Sequence, residues 1–145
     1  MAWIDARAVK LGCIGFSKTM SYRNRGIRSE TVCKKANSKA HLIEIFNDKQ
    51  SRFLISEKVR KQVRTHIGID IHSARWWWIG AELKSGAWYW NHSKKRVKYW
   101  SKIGSGNHYS TNRRYLMMYL SRTQAYFYPY DDSNLNFICQ ISINK

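Results

Sequence analysis

Five tryptophans fall within fifteen residues, in WWWIGAELKSGAWYW from Trp76 to Trp90. Such a cluster serves either a core, where each buried ring contributes on the order of 2–3 kcal/mol, or an exposed aromatic platform for sugars or bases. The stretch is interrupted by Lys84–Gly86, which has the composition of a tight turn. The pattern predicts two short strands, WWWIGA and AWYW, with Trp88 and Trp90 on one side of the pleat.

Helical signals precede this segment. Ser29 is a good N-cap for a short helix over SETVCKKA that ends near Asn37 and Ser38. AHLIEIF alternates with β-branched residues and predicts a strand. Asn47 and Asp48 then open a second helix, in which Ile55, Val59 and Val63 recur at four-residue spacing. Residues 64–75 read as a connection. After Trp90, NHSKK predicts a turn, RVKYW a resumed strand and SKIGSGNHYSTNRR a long loop. YLMMYL, AYFYPY and FICQISI complete a strand-rich half, with Pro129 where a strand should end. Helices early and strands late predict an α+β fold. At 145 residues the chain is expected to form one domain.

The charge is lopsided: 26 Lys and Arg face 9 Asp and Glu, a formal +17. No carboxylate lies between Glu82 and Asp131, whereas Lys84, Lys94, Lys95, Arg96, Lys98, Lys102, Arg113, Arg114 and Arg122 do. Such a surface attracts polyanions. The competing reading is a solvated basic face kept soluble by self-repulsion. No apolar run approaches the length that spans a membrane, and the N-terminus is no ordinary signal peptide. Cys13, Cys33 and Cys139 fit neither a zinc site nor a thioredoxin-like motif; one disulfide with a spare thiol and three buried thiols are both compatible with the spacing. The five histidines, His41, His66, His72, His92 and His108, show no His-Glu-x-x-His arrangement, and no serine stands in a nucleophile elbow. The expectation is a protein that is not an enzyme.

Four local patterns in this order resemble a C-type lectin-like domain. They are AHLIEIFNDKQSRFL after a helix carrying Cys33, WWIGA around Trp78, Ile79 and Gly80, the Trp88-x-Trp90 pair, and LNFICQ with Cys139. The resemblance runs from about Gly12 to the C-terminus, leaving residues 1–11 as a poorly matched N-terminal extension. Its wording is most similar to the perlucin-like lectins of invertebrates. It implies two helices, short antiparallel strands and a long irregular loop region. It implies that Trp78, Ile79, Trp88 and Trp90 are core residues, leaving Trp76, Trp77 and Trp100 as candidates for an exposed aromatic platform. It also implies a Cys33–Cys139 disulfide, with Cys13 free or paired to another chain. Closing so long a loop stabilises by roughly 4–5 kcal/mol in the chain-entropy model.

Sugar binding in this family commonly runs through one calcium ion, held by a Glu-Pro-Asn or Gln-Pro-Asp loop and a Trp-Asn-Asp strand motif. Calcium needs six to eight hard oxygen ligands. Here Ser105, Gly106 and Asn107 stand at the first motif, and only Asn107 is a plausible ligand. The second falls on Tyr126-Phe127-Tyr128 or on Tyr128-Pro129-Tyr130, neither of which supplies a carboxylate or amide. Asp131 and Asp132 are the nearby candidates for a shifted metal site. No cofactor is expected, calcium included.

The sequence therefore predicts an extracellular recognition domain whose role is calcium-independent glycan binding. The partner is a glycan of anionic character or a protein ligand. Without a leader in this sequence, a fragment is also compatible. The candidate ligand-binding residues are Lys94, Lys95, Arg96, Lys98, Trp100, Asn107, Arg113 and Arg114. Asn91, in Asn91-His92-Ser93, is a candidate glycosylation acceptor. The rival is single-stranded nucleic-acid binding, since KKRVKYW interleaves cations with Tyr99 and Trp100.

Overall fold

A computed structural model describes residues 1–22, 29–73, 75–100, 102–103, 113–131 and 133–142. Strand β1 (Ala2–Ala6) turns through a single 3₁₀ turn into β2 (Gly12–Phe16), and β3 (Ser21–Tyr22) follows. Helix α1 (Ser29–Ala36), strand β4 (His41–Leu42) and helices α2 (Asp48–Leu54) and α3 (Glu57–Ile67) come next. Then come β5 (Trp76–Lys84), β6 (Ala87–Trp90), β7 (Lys102–Ile103), β8 (Tyr115–Leu120), β9 (Ala125–Tyr130) and β10 (Asn134–Ile141). The sheet runs β1-β2-β10-β5-β8-β9-β7, with β3 and β4 on β10 and β6 on β5.

This α+β architecture departs from the expectation in several places. The described residues hold three helices, because Ser56 splits the second one. Its backbone is extended (ψ 155°), its hydroxyl donates to Phe53 O at 2.7 Å, and its Oγ caps α3 by accepting from Val59 N. The buried stripe is consequently Leu54, Val59, Val63 and Ile67, and Ile55 sits at the break. Asn47 caps α2 as expected, accepting from Gln50 N at 2.9 Å. Helix α3 continues past residue 64 to Gly68, whose left-handed backbone (φ 72°) ends it.

The sheet is mixed: β10 pairs with β5, and β7 with β9, in parallel. The N-terminal segment is no appendage, since β1 pairs along its length with β2 and buries Ala2, Ile4 and Ala6. The predicted strand RVKYW reduces to one bridge, Tyr89 to Arg96. The predicted long loop contains β7. AHLIEIF forms a strand only at His41–Leu42.

The β5–β6 hairpin turns on Ser85 (φ 50°) and Gly86 (φ 81°), a two-residue turn that matches strand twist. Gly80 is required for a different reason. A Cβ there would lie 2.7 Å from Leu42 O, where the strand backbones close on each other through Gly80 N to Ile43 O at 2.9 Å.

Both sheet faces are apolar. One face packs Trp77, Ile79 and Phe127 with Phe16, Leu54, Val59 and Val63. The other packs Trp78, Tyr115, Met117 and Phe137 with Cys33, Leu42 and Cys139. Trp77, expected as a platform candidate, is fully buried edge-on against Phe16. Its Nε1 is buried with no hydrogen-bond partner among the described residues. The Cys33–Cys139 disulfide is present, joining α1 to β10 with 5.6 Å between Cα atoms. Cys13 is free and half-buried, and burial pushes its thiol pKa up.

Candidate functional site

The basic run after β6 is held as a rigid arch. Lys94 N donates to Trp90 O at 2.9 Å, Trp90 N to Lys95 O at 2.8 Å and Val97 N to Trp88 O at 2.9 Å. Lys94 takes a left-handed backbone (φ 66°), which reverses the chain. Asn91 and Val97 are buried at the two feet, and Lys94, Lys95, Arg96 and Lys98 are exposed between and beyond them. The local alternation explains this: Val97 is the one aliphatic residue in the run, and its burial turns its cationic neighbours outward.

Two carboxylates lie beneath the arch, and both are engaged in holding it. Glu82 Oε1 accepts from Asn91 Nδ2 at 2.8 Å. Glu44, only 2% exposed, accepts from His92 N at 2.7 Å and from Ser93 N at 3.2 Å. Burial pushes the Glu44 carboxyl pKa up, opposed by these hydrogen bonds. None of Lys94, Lys95, Arg96 and Lys98 makes a salt bridge among the described residues, and all four side chains are exposed to solvent. Lys95 Nζ also lies 5.5 Å from the centre of the exposed Phe46 ring, a cation–π contact absent from the sequence reading.

Arg113 and Arg114 are exposed ahead of β8, and the sheet brings them to the same end as the arch. Leu83 N donates to Arg114 O at 2.9 Å, Leu83 pairs with Trp88, and Trp88 O accepts from Val97. That row spans three strand spacings, so the two basic groups stand about 14 Å apart along the backbone. The Arg113 guanidinium sits 5.6 Å from the centre of the Tyr130 ring.

Other candidates are placed differently. Trp100 is half-buried, edge-on to Trp88 (6.1 Å) and packed against Phe127 (6.2 Å), so it serves the core with much of its surface. Asn91 stands on a turn, as the sequon suggests, but is 6% exposed with its amide nitrogen bound to Glu82, so the expected exposed glycosylation acceptor is a buried structural residue. Asp131 is exposed at the end of β9. Asn107 and Asp132 lie outside the described residues. Sequence reasoning overlooked Tyr119, Tyr126, Tyr128 and Tyr130, half-buried on one sheet face; the alternation in AYFYPY was the available signal.

This topology is the C-type lectin-like fold. The cow carbohydrate-recognition domain of CD23, crystallised in the presence of GlcNAc2Man3 oligosaccharide, matches with a TM-score of 0.66 at 16% identity, over 99% of this chain and 95% of that one. Human lithostathine matches with a TM-score of 0.64 at 18% identity, over 90% of this chain and 83% of that one. The C-type lectin domain of murine dendritic cell inhibitory receptor 2, in complex with N-glycan, matches with a TM-score of 0.63 at 15% identity, over 98% and 97%. No protein-family model matches the sequence, and no curated protein matches it.

Proposed function

We propose that this chain is a non-catalytic, extracellular glycan-recognition domain of the C-type lectin-like kind, which binds anionic glycans without calcium. The observation that carries the reading is the Lys94–Lys98 arch on a lectin-like fold, whose backbone is fixed by hydrogen bonds and whose exposed cations make no salt bridge among the described residues. A backbone held in place costs little further backbone entropy on binding, and the clustered charges steer an anionic chain toward the surface. Arg113 and Arg114 extend the cationic surface at the same sheet end.

Three further points support it. One of the similar structures is a complex with N-glycan, and another was obtained in the presence of an oligosaccharide. Strand β9, where the resemblance places the second calcium-ligand motif, offers only Tyr126, Phe127, Tyr128, Pro129 and Tyr130 over that register. The disulfide fits an oxidising compartment, and no helix among the described residues is long and apolar enough to cross a membrane. The wording of residues 40–57 and 135–140 keeps the perlucin-like lectins as the kin within this reading.

The test is a glycan array that includes sulfated and neutral glycans, run with calcium and with chelator. The expected result is retention of sulfated glycans in both conditions. Charge reversal at Lys94, Lys95 and Arg96 is expected to weaken binding by about 30-fold, the equivalent of roughly 2 kcal/mol. Binding only with calcium would point to Asp131 and Asp132 as a relocated site. Preference for single-stranded DNA over heparin, abolished by Trp100→Ala, would assign the arch to nucleic acid.

A further inference from the structure

A second surface lies across the sheet from the arch's aromatic anchors. Trp76 pairs with Tyr119 and Trp78 with Met117, while Tyr119, Met117 and Tyr115 pair with Tyr126, Tyr128 and Tyr130. Side chains directly opposite one another share a face. The register therefore assembles a grid of eight large side chains from β5, β8 and β9 on one face. Helix α1 and its disulfide cover the neighbouring Phe137–Cys139 region, and Trp78, Tyr115 and Met117 are buried there. Trp76, Tyr119, Tyr126, Tyr128 and Tyr130 remain half-exposed.

Their rings form a connected strip. Centroids are 5.2 Å apart for Trp76 and Tyr119, 6.3 Å for Tyr119 and Tyr126, and 6.4 Å for Tyr126 and Tyr128, with interplanar tilts of 31–43°. The strip is about 13 Å long along β9 and about 10 Å wide across the three strands. The hydroxyls of Tyr119, Tyr126, Tyr128 and Tyr130 have no hydrogen-bond partner among the described residues, whereas Tyr99 OH is engaged with Ser51 at 3.0 Å. These four phenols are open to solvent and available to a polar ligand.

Cations stand at both ends of the strip. Arg113 lies over Tyr130 at one end, and exposed Arg122 occupies the β8–β9 turn at the other. The nearest carboxylate along the chain is Asp131, at the Tyr130 end. We infer that this face binds an acidic oligosaccharide, with sugar C–H faces on the tyrosine rings, sugar hydroxyls on the phenols, and sulfate or carboxylate groups on the terminal arginines. Tyrosine suits this task because its ring is rigid and amphipathic and loses little entropy on contact. A second copy of the chain fits poorly, since two bodies of formal charge +17 repel. The inference takes its ligand class from the reading above and places it on the tyrosine rings, with Arg113 shared between the two surfaces.

The test measures binding of a heparin-derived oligosaccharide, a neutral oligosaccharide and single-stranded DNA by calorimetry, at physiological and raised salt. Tyr119→Ser with Tyr126→Ser is expected to weaken heparin binding at least about tenfold while leaving the salt dependence unchanged. Because loss of two rings can perturb the sheet, Tyr119→Phe with Tyr126→Phe is the companion variant; it keeps the rings and is expected to weaken binding about threefold through the lost hydroxyls. Heparin is also expected to protect Tyr126 and Tyr128 from nitration in the unmodified chain. Wild-type affinity in both variants, with unprotected tyrosines, would overturn the strip and leave the arch standing if its charge-reversed variant loses binding. Loss in the tyrosine variants alone would keep the strip and remove the arch. Absence of any heparin binding would remove both. Concentration-dependent dimerisation abolished by Tyr126→Ser, or tighter binding of single-stranded DNA at the strip, would assign it to another occupant and overturn the inference.

Discussion

The imidazoles of His41 and His92 lie parallel, with 3.7 Å between ring centroids and 4° between planes. This stack joins β4 to the first residue after the arch's buried foot, directly beside Glu44. His41 is buried, with Nδ1 at 2.8 Å from Leu42 O and Nε2 at 3.0 Å from Ser142 Oγ, so the fixed ring supports the exposed one. Glu44 closes the arrangement by accepting from His92 N and Ser93 N. The arch thus rests on a buried polar cluster contributed by a segment about fifty residues earlier.

Glu44 makes the first prediction one of pH. Burial raises its pKa above the ordinary 4.5, so the folded state favours the protonated acid more than the unfolded chain does. Its stabilising contribution is fully present below the unfolded pKa and is lost as pH rises through the folded value. Glu44→Gln, which imitates the protonated acid, is expected to gain in stability relative to the unmodified chain between pH 4 and pH 7. Urea midpoints of both proteins across that range check it; a relative loss for Gln over the same range would show that the hydrogen bonds outweigh burial.

Asp70 has the opposite sign. Arg60 binds it through two parallel contacts, Nε to Oδ1 at 3.0 Å and Nη2 to Oδ2 at 2.9 Å, and these hold its carboxyl well below the usual range. The stability is present above the unfolded pKa and is lost as pH falls through the folded one. Asp70→Asn is expected to cost about 1–2 kcal/mol at neutral pH, as for a partly exposed charge-assisted pair. The deficit should shrink under acid, measured as denaturant midpoints at pH 7 and pH 2.

Loss of the Cys33–Cys139 link is expected to be larger. It spans 106 positions, and removing it by Cys33→Ser with Cys139→Ser releases unfolded-chain entropy of roughly 3–5 kcal/mol. Chemical denaturation of the double variant gives the value directly. A loss below about 1 kcal/mol would place the stability of the α1–β10 junction in its packing instead.

Adjacent tryptophans should respond very differently. Trp77→Ala empties a site at the centre of the larger core and is expected to cost about 3–5 kcal/mol. Trp76→Ala, on the half-exposed face, is expected to cost under about 1.5 kcal/mol, in proportion to its smaller buried area. Equal losses from thermal or urea unfolding would show that both faces are equally closed.

Gly80→Ala tests the close approach of β5 to the chain at Leu42. The added methyl would meet backbone oxygen at 2.7 Å, and backbone cannot swing aside as a side chain can. The expected cost is about 1–3 kcal/mol, read from the urea midpoint. An unchanged midpoint would mean that the strands separate freely there.

Local chemistry made much of this fold legible without coordinates. Ser85-Gly86 required a turn, Asn47 a cap, and the alternation of Trp88 with Trp90 a strand with one inner face, because each depends on residues only a few positions apart. The resemblance carried the disulfide and the fold class, since the four motifs lie in order along the chain. Burial was not legible in the same way. Alternation dictates that Trp76 and Trp78 share a face and that Trp77 takes the other, but it cannot say how far either face is covered. Helix α1 closes one side at Trp78 and the α2–α3 pair closes the other at Trp77, while Trp76 lies beyond the cover. The sequon at Asn91 is local; its burial depends on Glu82 across the hairpin. The sequence pattern ran one helix through Ser56, whose role as a cap shows only in its hydroxyl donating to Phe53 O while accepting from Val59 N. The tyrosine grid depends on the register of three strands that are separated in the chain by turns and loops. A slip of one residue would turn each ring to the opposite face, so only the tertiary structure decides that those rings meet.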